Sequence, residues 1–283
     1  MDVGGVDLYY EEKGSGSPLI FVHGIPTDYR AWTLQMGPLS EGRRAITLSR
    51  RYAFPNKRQG DVSDSTVQNN ALDLERFIEK TVGGPVDLVG HSYGGFASAY
   101  MAARRPALVR SLVLVEPAVS TLLLADQNSA AQSLALVFRS PAVALSGRRF
   151  QSQSLGPSLK ALAGGNAAGA VELNVDGIQD VEGSFRALPE ETRSMMLDNS
   201  RTIAELKTKF PVFSASDAAR ISSPCLIVNG QDSALWLGRI GELLARAIPG
   251  SRRILAPKSR HFPHLENPGF FNAEVLAFLK SRQ

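Results

Sequence analysis

One serine of the chain stands in a segment that could make it a nucleophile. Ser92 is the centre of Gly90-His-Ser-Tyr-Gly94, which follows the apolar run Val86 to Val89 and precedes a helical pattern from Phe96 to Arg105. Where a strand turns at once into a helix, side chains two positions before and after the serine would collide, so glycine is needed there. We predict a strained turn that lifts the Ser92 hydroxyl to a helix N-terminus, where backbone amides favour developing negative charge.

A base must accompany such a serine, because a hydroxyl is a poor nucleophile at neutral pH. The chain offers four histidines: His23, His91, His261 and His264. For His23 and His91, each in a loop that follows an apolar run, a buried and hydrogen-bonded packing role is favoured. His261 and His264 follow the last predicted strand and compete for the role of base.

A carboxylate would complete this constellation by fixing the imidazole tautomer and stabilising the imidazolium. Glu116 directly follows the apolar run Ser111 to Val115, and Asp232 comes shortly after the run Cys225 to Val228. A buried glutamate at the end of an apolar strand would cost much free energy without a partner, so Glu116 is expected to have one. On the residues alone, both carboxylates remain candidates.

The elements that must position these side chains alternate along the chain. Short apolar runs predict strands, and segments with apolar residues near a period of 3.6, such as Thr66 to Thr81, predict helices between them. The further predicted elements are the extended segment Val6 to Glu12, strands at Leu19 to Val22, Arg44 to Leu48 and Arg253 to Ala256, and helices at Tyr29 to Leu39 and Pro268 to Arg282. This alternation predicts an α/β fold with a mostly parallel sheet and helices on both faces. Ligands bind at the carboxyl ends of such strands, where the candidate residues lie.

The alternation stops in the middle of the chain. Between Ala118 and Ala219 no run resembles a central strand, and helical patterns at Ala130 to Phe138 and Leu188 to Leu197 are interrupted by proline and glycine. We predict that residues 118–215 form a helical cap, or lid, over the strand ends. Residues 1–117 and 216–283 then form the core domain.

Composition excludes several classes of function. Hydrophobic residues make up 43% and charged residues 20% of the 283 residues, as in an ordinary globular protein. The net charge is +4, but no basic run is interleaved with aromatic residues, so nucleic acid is not an expected partner. The single cysteine, Cys225, rules out an intramolecular disulfide, and the histidines are not spaced as metal ligands. No signal peptide or membrane span is predicted, which favours a cytoplasmic protein.

Three motifs together resemble the α/β-hydrolase superfamily: His23-Gly-Ile-Pro26, Gly90-His-Ser-Tyr-Gly94 and His261-Phe-Pro-His-Leu-Glu-Asn-Pro268. The resemblance extends from about Val6 to the C-terminus and implies the α/β-hydrolase fold with an inserted helical cap. It implies Ser92 as nucleophile. It also implies His261 as base, because Glu266 and Pro268 follow at the family's spacing.

The resemblance leaves two positions for the acid. Many relatives carry it after the strand that here ends at Val228, at the position of Ser233, and Asp232 is one residue early. Other relatives carry it after the strand before the cap, where Glu116 stands. Glu116 is our preferred acid and Asp232 the alternative. The backbone N–H groups of Ile25 and Tyr93 are implied as the oxyanion hole.

The chain also departs from the family pattern. Ser92 replaces the aspartate with which epoxide and haloalkane hydrolases attack, and every tyrosine precedes the cap. Where many members have an Asp-x-x-Gly-x-Gly turn, this chain has Ser49-Arg-Arg-Tyr-Ala-Phe-Pro-Asn56. Arg50, Arg51 or Tyr52 could reach the site and bind an acidic or polar group, but arginines in solvent are favoured.

These inferences lead to a serine hydrolase that cleaves an ester, lactone or related acyl bond of a small, mostly apolar molecule. No cofactor, metal or membrane partner is expected, and the oligomeric state is open. Alternatives are acyl transfer, cyclisation, carbon–carbon bond hydrolysis or cofactor-free perhydrolysis with the same triad, and a non-catalytic ligand-binding protein. The candidates for the substrate pocket are His23, Trp32 and Trp236, with Leu134, Val137, Phe138, Met195 and Met196 of the cap, although core packing is favoured for most of these.

Overall fold

The computed structural model describes residues 1–57, 60–126 and 129–281 of the chain, and within these ranges it contains one seven-stranded sheet. The strand order is β1-β3-β2-β4-β5-β6-β7. The strands are β1 (Tyr10–Lys13), β2 (Ser17–Val22), β3 (Arg43–Leu48), β4 (Val86–His91), β5 (Val109–Val115), β6 (Cys225–Gly230) and β7 (Arg252–Ala256). Strand β1 pairs antiparallel with β3, and every other pairing is parallel. The predicted mostly parallel sheet is therefore confirmed.

Helices connect the strands. They are α1 (Thr33–Met36), α2 (Val67–Thr81), α3 (Ser92–Arg104), α4 (Ala130–Arg139), α5 (Pro141–Arg149), α6 (Gly156–Ala163), α7 (Ala167–Gln179), α8 (Ser184–Ala187), α9 (Glu190–Asp198), α10 (Ala215–Ala218), α11 (Leu235–Ala247), α12 (Pro263–Glu266) and α13 (Pro268–Lys280). Short 3-10 helices span Tyr29–Trp32, Pro38–Ser40, Pro106–Leu108, Ser120–Leu122 and Ser200–Lys207, and a π-helix spans Phe150–Leu155. The terminal helix was predicted to reach Arg282, which lies outside the described residues.

The sequence patterns account for the main elements. All residues of β4 and β6 are buried, as expected for central strands covered on both faces. Helix α2 begins at the cap Thr66, whose side chain accepts from the Asn69 amide, and it buries the predicted stripe that includes Leu74 and Phe77. The extended segment predicted at Val6 to Glu12 is observed as strand β1 at Tyr10–Lys13, and residues 2 and 7 form an isolated bridge before it.

Residues 116–224 lie between the parallel neighbours β5 and β6, and we call this segment the insertion. Its described part contains helices α4 to α10 and no strand of the sheet. It contacts the rest of the molecule at several points: the Phe150 ring lies 5.3 Å from that of Trp236, and Asn199 Nδ2 donates to Asp28 at 2.7 Å. The insertion therefore lies against the loops that leave the carboxyl ends of the strands.

In residues 1–57, 60–126 and 129–281, no helix combines the length and the apolar character that crossing a bilayer requires.

Candidate active site

The turn from β4 to α3 holds Ser92 in a strained conformation. Its φ of 51° lies in the left-handed region, which residues other than glycine rarely adopt. A Cβ on Gly90 would lie 2.6 Å from Ser98 Oγ, and a Cβ on Gly94 would collide with the carbonyl groups of Val22 and His23. Both glycines are thus required by close packing of the backbone, as the sequence predicted.

Three side chains from distant parts of the chain meet at this turn. His261 Nε2 lies 3.0 Å from Ser92 Oγ, and His261 Nδ1 lies 3.4 Å from Glu116 Oε2. With the ring proton on Nδ1, the Ser92 hydroxyl donates to Nε2 and Nδ1–H donates to the carboxylate. All three residues are buried. This arrangement allows a proton to move from Ser92 to His261 while Glu116 stabilises the resulting imidazolium.

The carboxylate of Glu116 is fixed by three donors besides His261. Asn229 Nδ2 and the Gly230 N–H donate to Oε1 at 3.0 and 2.7 Å, and Ser233 Oγ donates to Oε2 at 2.7 Å. Ser233, which stands where many relatives carry the acid, therefore supports Glu116 instead. These bonds stabilise an ionised carboxylate in a buried position.

Asp232, the alternative acid, lies outside this cluster. It is exposed, its backbone N–H donates to the Ser259 carbonyl at 2.9 Å, and its own carbonyl accepts from Arg260. The structure thus brings Glu116 rather than Asp232 to His261.

The main chain of His261 is held from two sides. Its N–H donates to Gln179 Oε1 at 2.7 Å, and His91 Nε2 lies 2.8 Å from its carbonyl oxygen, to which it donates. Gln179 Nε2 in turn donates to Glu266, which also accepts from the Arg260 N–H. Sequence reasoning did not identify Gln179, because it belongs to the insertion and stands 82 residues before His261.

The other three histidines have packing roles. The ring of His264 stacks 4.6 Å from that of Trp32, and neither ring nitrogen has a hydrogen-bond partner in the described structure. Burial lowers the pKa of His264 to about 3. Burial likewise holds the pKa of His23 and of His91 well below the ordinary value, so these imidazoles are neutral.

The loop of His23 to Pro26 runs directly against the nucleophile. A Cβ on Gly24 would lie 2.8 Å from that of Ser92, so glycine permits this close approach. Ile25 and Tyr93 both line the cavity in front of Ser92, and the Ile25–Pro26 peptide bond is cis. The backbone amides predicted to bind the oxyanion are therefore adjacent to the serine.

A cavity of about 760 Å³ opens above Ser92 and His261. Strand-end loops form its floor, and its walls come largely from the insertion, with apolar residues that include Leu123, Leu134, Val137, Phe150, Leu155, Ile178, Leu206 and Phe210. Trp236 of α11 lines it as predicted. The insertion therefore determines most of the shape that a ligand would meet.

Two of the predicted pocket residues do not line this cavity as the structure describes it. Trp32 is buried in the core, where its ring packs against those of Phe21 and Phe271. His23 is enclosed behind the loop, with Nδ1 donating to the Gly24 carbonyl and Nε2 accepting from the Arg50 N–H. Neither side chain is therefore a pocket residue in this structure, and both take the favoured alternatives, core packing for Trp32 and a buried, hydrogen-bonded position for His23.

Of the cap residues that were predicted to line the pocket, some line the cavity and others do not. Leu134 and Val137 line the cavity, and Phe138 is 78% exposed on the outside of α4. Met195 and Met196 are buried in the core, as the favoured alternative of core packing predicted.

Arg50, Arg51 and Tyr52 of the segment that replaces the Asp-x-x-Gly-x-Gly turn are buried, which corrects the expectation of arginines in solvent. Arg50 donates to Glu205 at 2.7 Å, and Arg51 donates to Asp73 at 2.8 and 2.9 Å. The Tyr52 hydroxyl donates to Asp64 at 2.6 Å. None of these three residues is among the described residues that line the cavity. Their hydrogen-bond partners lie from 12 to 155 residues away along the chain.

Within the described ranges, no group of three or more histidine, cysteine, aspartate or glutamate side chains is arranged to hold a metal ion.

The chain was then compared with known proteins. The sequence model of the Alpha/beta hydrolase family matches residues 19–274. The chain belongs to the alpha/beta hydrolase family. This confirms the resemblance and the fold class that the three motifs predicted.

The sequence identity between this chain and individual curated relatives is low. The chain is 30% identical over 117 residues to lipase LipV of Mycobacterium tuberculosis, and this match spans 41% of this chain and 43% of the lipase. Another curated relative is matched over 31% of its length, so the chain spans less than half of these two proteins. Over nearly the full length, it is 25% identical to 2-(acetamidomethylene)succinate hydrolase of Mesorhizobium japonicum, with 95% of this chain and 90% of that protein aligned.

Among solved structures, the bromoperoxidase from Bacillus anthracis superimposes with a TM-score of 0.69 at 21% identity. The alignment covers 97% of this chain and 96% of the bromoperoxidase. At that identity the similarity establishes the shared fold.

Proposed function

We propose that this alpha/beta hydrolase is a serine hydrolase that cleaves an ester, lactone or related acyl bond through an acyl-enzyme on Ser92. The observation that carries the proposal is the contact of 3.0 Å between Ser92 Oγ and His261 Nε2 at the base of an apolar cavity. A nucleophile, a base within hydrogen-bond reach and a carboxylate behind the base are the requirements for such chemistry.

In the first half of the reaction, His261 Nε2 accepts the proton as Ser92 Oγ attacks the carbonyl carbon of the substrate. The negative charge on the carbonyl oxygen is stabilised by the backbone N–H groups of Ile25 and Tyr93, helped by the N-terminus of α3. His261 then gives its proton to the leaving oxygen as the acyl–oxygen bond breaks. The products are an alcohol, or the opened end of a lactone, and an ester on Ser92.

In the second half, water attacks the acyl-enzyme. His261 Nε2 takes a proton from the water, and the new hydroxyl oxygen bonds to the acyl carbon. The bond to Ser92 Oγ then breaks, and Oγ recovers its proton from His261. Glu116 keeps the imidazole in the required tautomer throughout both halves.

The walls of the cavity favour a small and mostly apolar substrate. Arg148 is the one Lys, Arg, Asp or Glu side chain among the described lining residues, and it is exposed. An apolar acyl group gains free energy by leaving water for such walls.

The test is covalent labelling with a fluorophosphonate, which reacts with activated serine nucleophiles. We expect stoichiometric labelling of the protein, loss of labelling in Ser92→Ala, and hydrolysis of short para-nitrophenyl esters that disappears with the same substitution. An intact, folded protein that is neither labelled nor active would contradict the proposal and would favour a non-catalytic binding protein on this fold.

Perhydrolysis is a second candidate, and the similarity to a bromoperoxidase favours it. In that reaction hydrogen peroxide replaces water in the attack on the acyl-enzyme and releases a peracid. The discriminating measurement is the product formed from an acetate ester with and without added peroxide. Peracid formation that competes with hydrolysis at millimolar peroxide would support perhydrolysis, and acetate alone would exclude it.

A further inference from the structure

One buried carboxamide in the wall of the cavity makes no hydrogen bond with a described residue. Asn174 belongs to α7, lines the cavity and is only 4% exposed. In the described part of the chain, its carboxamide makes no hydrogen bond with another residue. Since the cavity is the open space that Asn174 borders, the carboxamide is available to a molecule that enters it.

Three other buried or half-buried hydroxyl and amide side chains near the cavity are hydrogen-bonded, whereas the indole N–H of Trp236, which also lines the cavity, has no partner among the described residues. Ser154 Oγ donates to the Leu173 carbonyl, Thr208 Oγ1 donates to the Glu205 carbonyl, and both ends of the Gln179 amide are bonded. A buried amide without a partner costs free energy, which leucine at the same position would avoid. Asn174 therefore differs from the hydroxyl and amide side chains of Ser154, Thr208 and Gln179, and core packing does not explain the difference.

The position of Asn174 on α7 sets its distance from the reacting centre. Gln179, on the same helix, accepts from the His261 N–H at 2.7 Å. Five residues of helix correspond to about 7.5 Å along the axis, so Asn174 is separated by about that rise from the residue that holds the main chain of His261. Ile178, one turn along the same face, also lines the cavity.

The chemistry of the side chain limits what it could bind. A carboxamide is uncharged and offers both a donor and an acceptor, so it suits a neutral carbonyl or hydroxyl group. We propose that Asn174 binds a neutral hydrogen-bonding group on the otherwise apolar acyl part of the substrate. This inference rests on the proposed function, because it takes Ser92 as the place where that acyl part is attached.

The test compares matched esters. We would measure kcat/KM for the para-nitrophenyl ester of an unbranched fatty acid and for the same ester with one oxo group at carbon five, six or seven. For the wild-type protein, the best oxo ester is expected to exceed the unsubstituted ester by about threefold to tenfold, the range of a single hydrogen bond. In Asn174→Leu this ratio should fall below one, while the unsubstituted ester is hydrolysed at least as well.

Two further variants separate hydrogen bonding from shape. In Asn174→Asp the carboxylate can accept but not donate, so preference for an oxo group should be lost and preference for a hydroxyl group kept. Ile178→Val changes the volume of the same wall, and it should alter both esters by the same factor. Equal ratios in the wild type and in a folded Asn174→Leu protein would overturn the proposal.

A binding measurement distinguishes failure of this inference from failure of the proposed function. The oxo-substituted and unsubstituted free acids are titrated into Ser92→Ala and into Ser92→Ala/Asn174→Leu by calorimetry. Preference for the oxo acid that needs Asn174 would support the inference even if no ester were hydrolysed. Ester hydrolysis without any such preference would leave the proposed function intact and overturn the role of Asn174. Absence of both hydrolysis and preference would overturn the two together.

Discussion

At the scale of single residues, the carboxylate beside His261 offers the clearest test. Glu116 is buried, has a φ of 46° and accepts hydrogen bonds from Asn229, Gly230 and Ser233, whereas Asp232 is exposed. Glu116→Gln removes the negative charge that stabilises the imidazolium, so we expect kcat for a para-nitrophenyl ester to fall roughly 10²- to 10⁴-fold. Asp232→Asn should leave kcat within about twofold, since an exposed substitution away from the site changes little.

Thermal unfolding of both variants provides the control for this comparison. Glu116→Gln loses charge-assisted bonds and should melt several degrees lower, yet remain folded at the assay temperature. If Asp232→Asn caused the larger loss of turnover in a folded protein, the assignment of Glu116 would be wrong.

The candidate triad was predictable from sequence because each member stands in or beside a local pattern. Ser92 lies between glycines, His261 begins a motif, and Glu116 ends an apolar run. Trp32 was not predictable, because its neighbours Phe21 and Phe271 come from distant elements. The residue type favours burial of Trp32, but the fold decides whether the core, the cavity or solvent surrounds such a ring, as exposed Phe138 shows.

At the scale of elements, the turn between β4 and α3 requires a residue without a side chain at position 94. A Cβ on Gly94 would collide with the backbone carbonyls of Val22 and His23, which belong to β2 and the loop after it and cannot move independently. We expect Gly94→Ala to lower the free energy of unfolding by roughly 2–3 kcal/mol and to displace Ser92 from His261. Urea denaturation measures the first effect, and fluorophosphonate labelling measures the second.

Gly37 is the matched control for this substitution. Nothing lies within 4 Å of the position where its Cβ would be, and its φ is −67°. Gly37→Ala should therefore be neutral or stabilise the protein by up to about 1 kcal/mol, because alanine restricts the unfolded chain. Equal stability of the two variants would show that the turn tolerates a side chain at 94.

A second element-scale feature is the buried ion pair that connects the loop after β3 with the insertion. Arg50 donates to Glu205 at 2.7 Å and also to the carbonyls of His23 and Gly24, and its guanidinium lies 4.8 Å from the Tyr93 ring. Arg50 thus contacts both segments that carry the predicted oxyanion donors. Burial raises the pKa of Glu205, and Arg50 opposes that shift.

Removal of Arg50 should have two separable effects. Arg50→Met leaves Glu205 buried without its cation, so we expect a loss of about 3–5 kcal/mol in the free energy of unfolding. The double variant Arg50→Met/Glu205→Leu removes both charges and should regain most of that stability. Turnover should remain reduced by roughly tenfold or more, because the loop of His23 to Ile25 has lost its donors.

The exposed pair of Arg44 and Glu12 provides the control, with a distance of 2.6 Å between charged groups. Arg44→Met should cost less than about 1 kcal/mol. A double variant at 50 and 205 that regained full turnover as well as stability would show that Arg50 only supports folding.

The insertion could be predicted from the sequence, but the ion pair that connects it to the loop after β3 could not. Proline and glycine punctuation predicted the insertion and its helical character, because these residues act locally. The partner of Arg50 stands 155 residues later, in the short 3-10 helix Ser200–Lys207, and no local pattern connects the two. For the same reason, the polar residues that reach the cavity from the insertion could not be named in advance.

At the scale of the whole molecule, buried imidazoles make stability depend on pH. The pKa of His264 is about 3, and burial lowers the pKa of His23 and of His91 well below the unfolded value of 6.5. Between pH 6.5 and 3 the unfolded chain therefore binds protons that the folded protein does not. Stability is fully present above pH 6.5 and is lost as pH falls below it, by about 1.4 kcal/mol per pH unit for each such group.

Glu205 acts in the opposite direction. Burial raises the pKa of Glu205 above the unfolded value of 4.5. Between that value and the raised pKa, the folded protein binds a proton that the unfolded chain does not. Stability therefore rises slightly as the pH falls through this range. Because three histidines oppose one glutamate, stability should fall overall as the pH falls below 6.5. Since domains are stable by about 5–15 kcal/mol, we expect acid unfolding to begin near pH 5.

His264→Phe isolates one contribution to this loss. The ring stacks on Trp32, and neither nitrogen has a described partner, so phenylalanine keeps the packing and removes the titrating group. The free energy of unfolding, measured in urea at pH 7, 6 and 5, should decline with pH by about 1.4 kcal/mol per unit less steeply than in the wild type. At pH 7 the variant should be at least as stable, because two buried polar atoms are gone. An unchanged slope would mean that His264 binds its proton equally in the folded and unfolded states, and that the acid sensitivity has another origin.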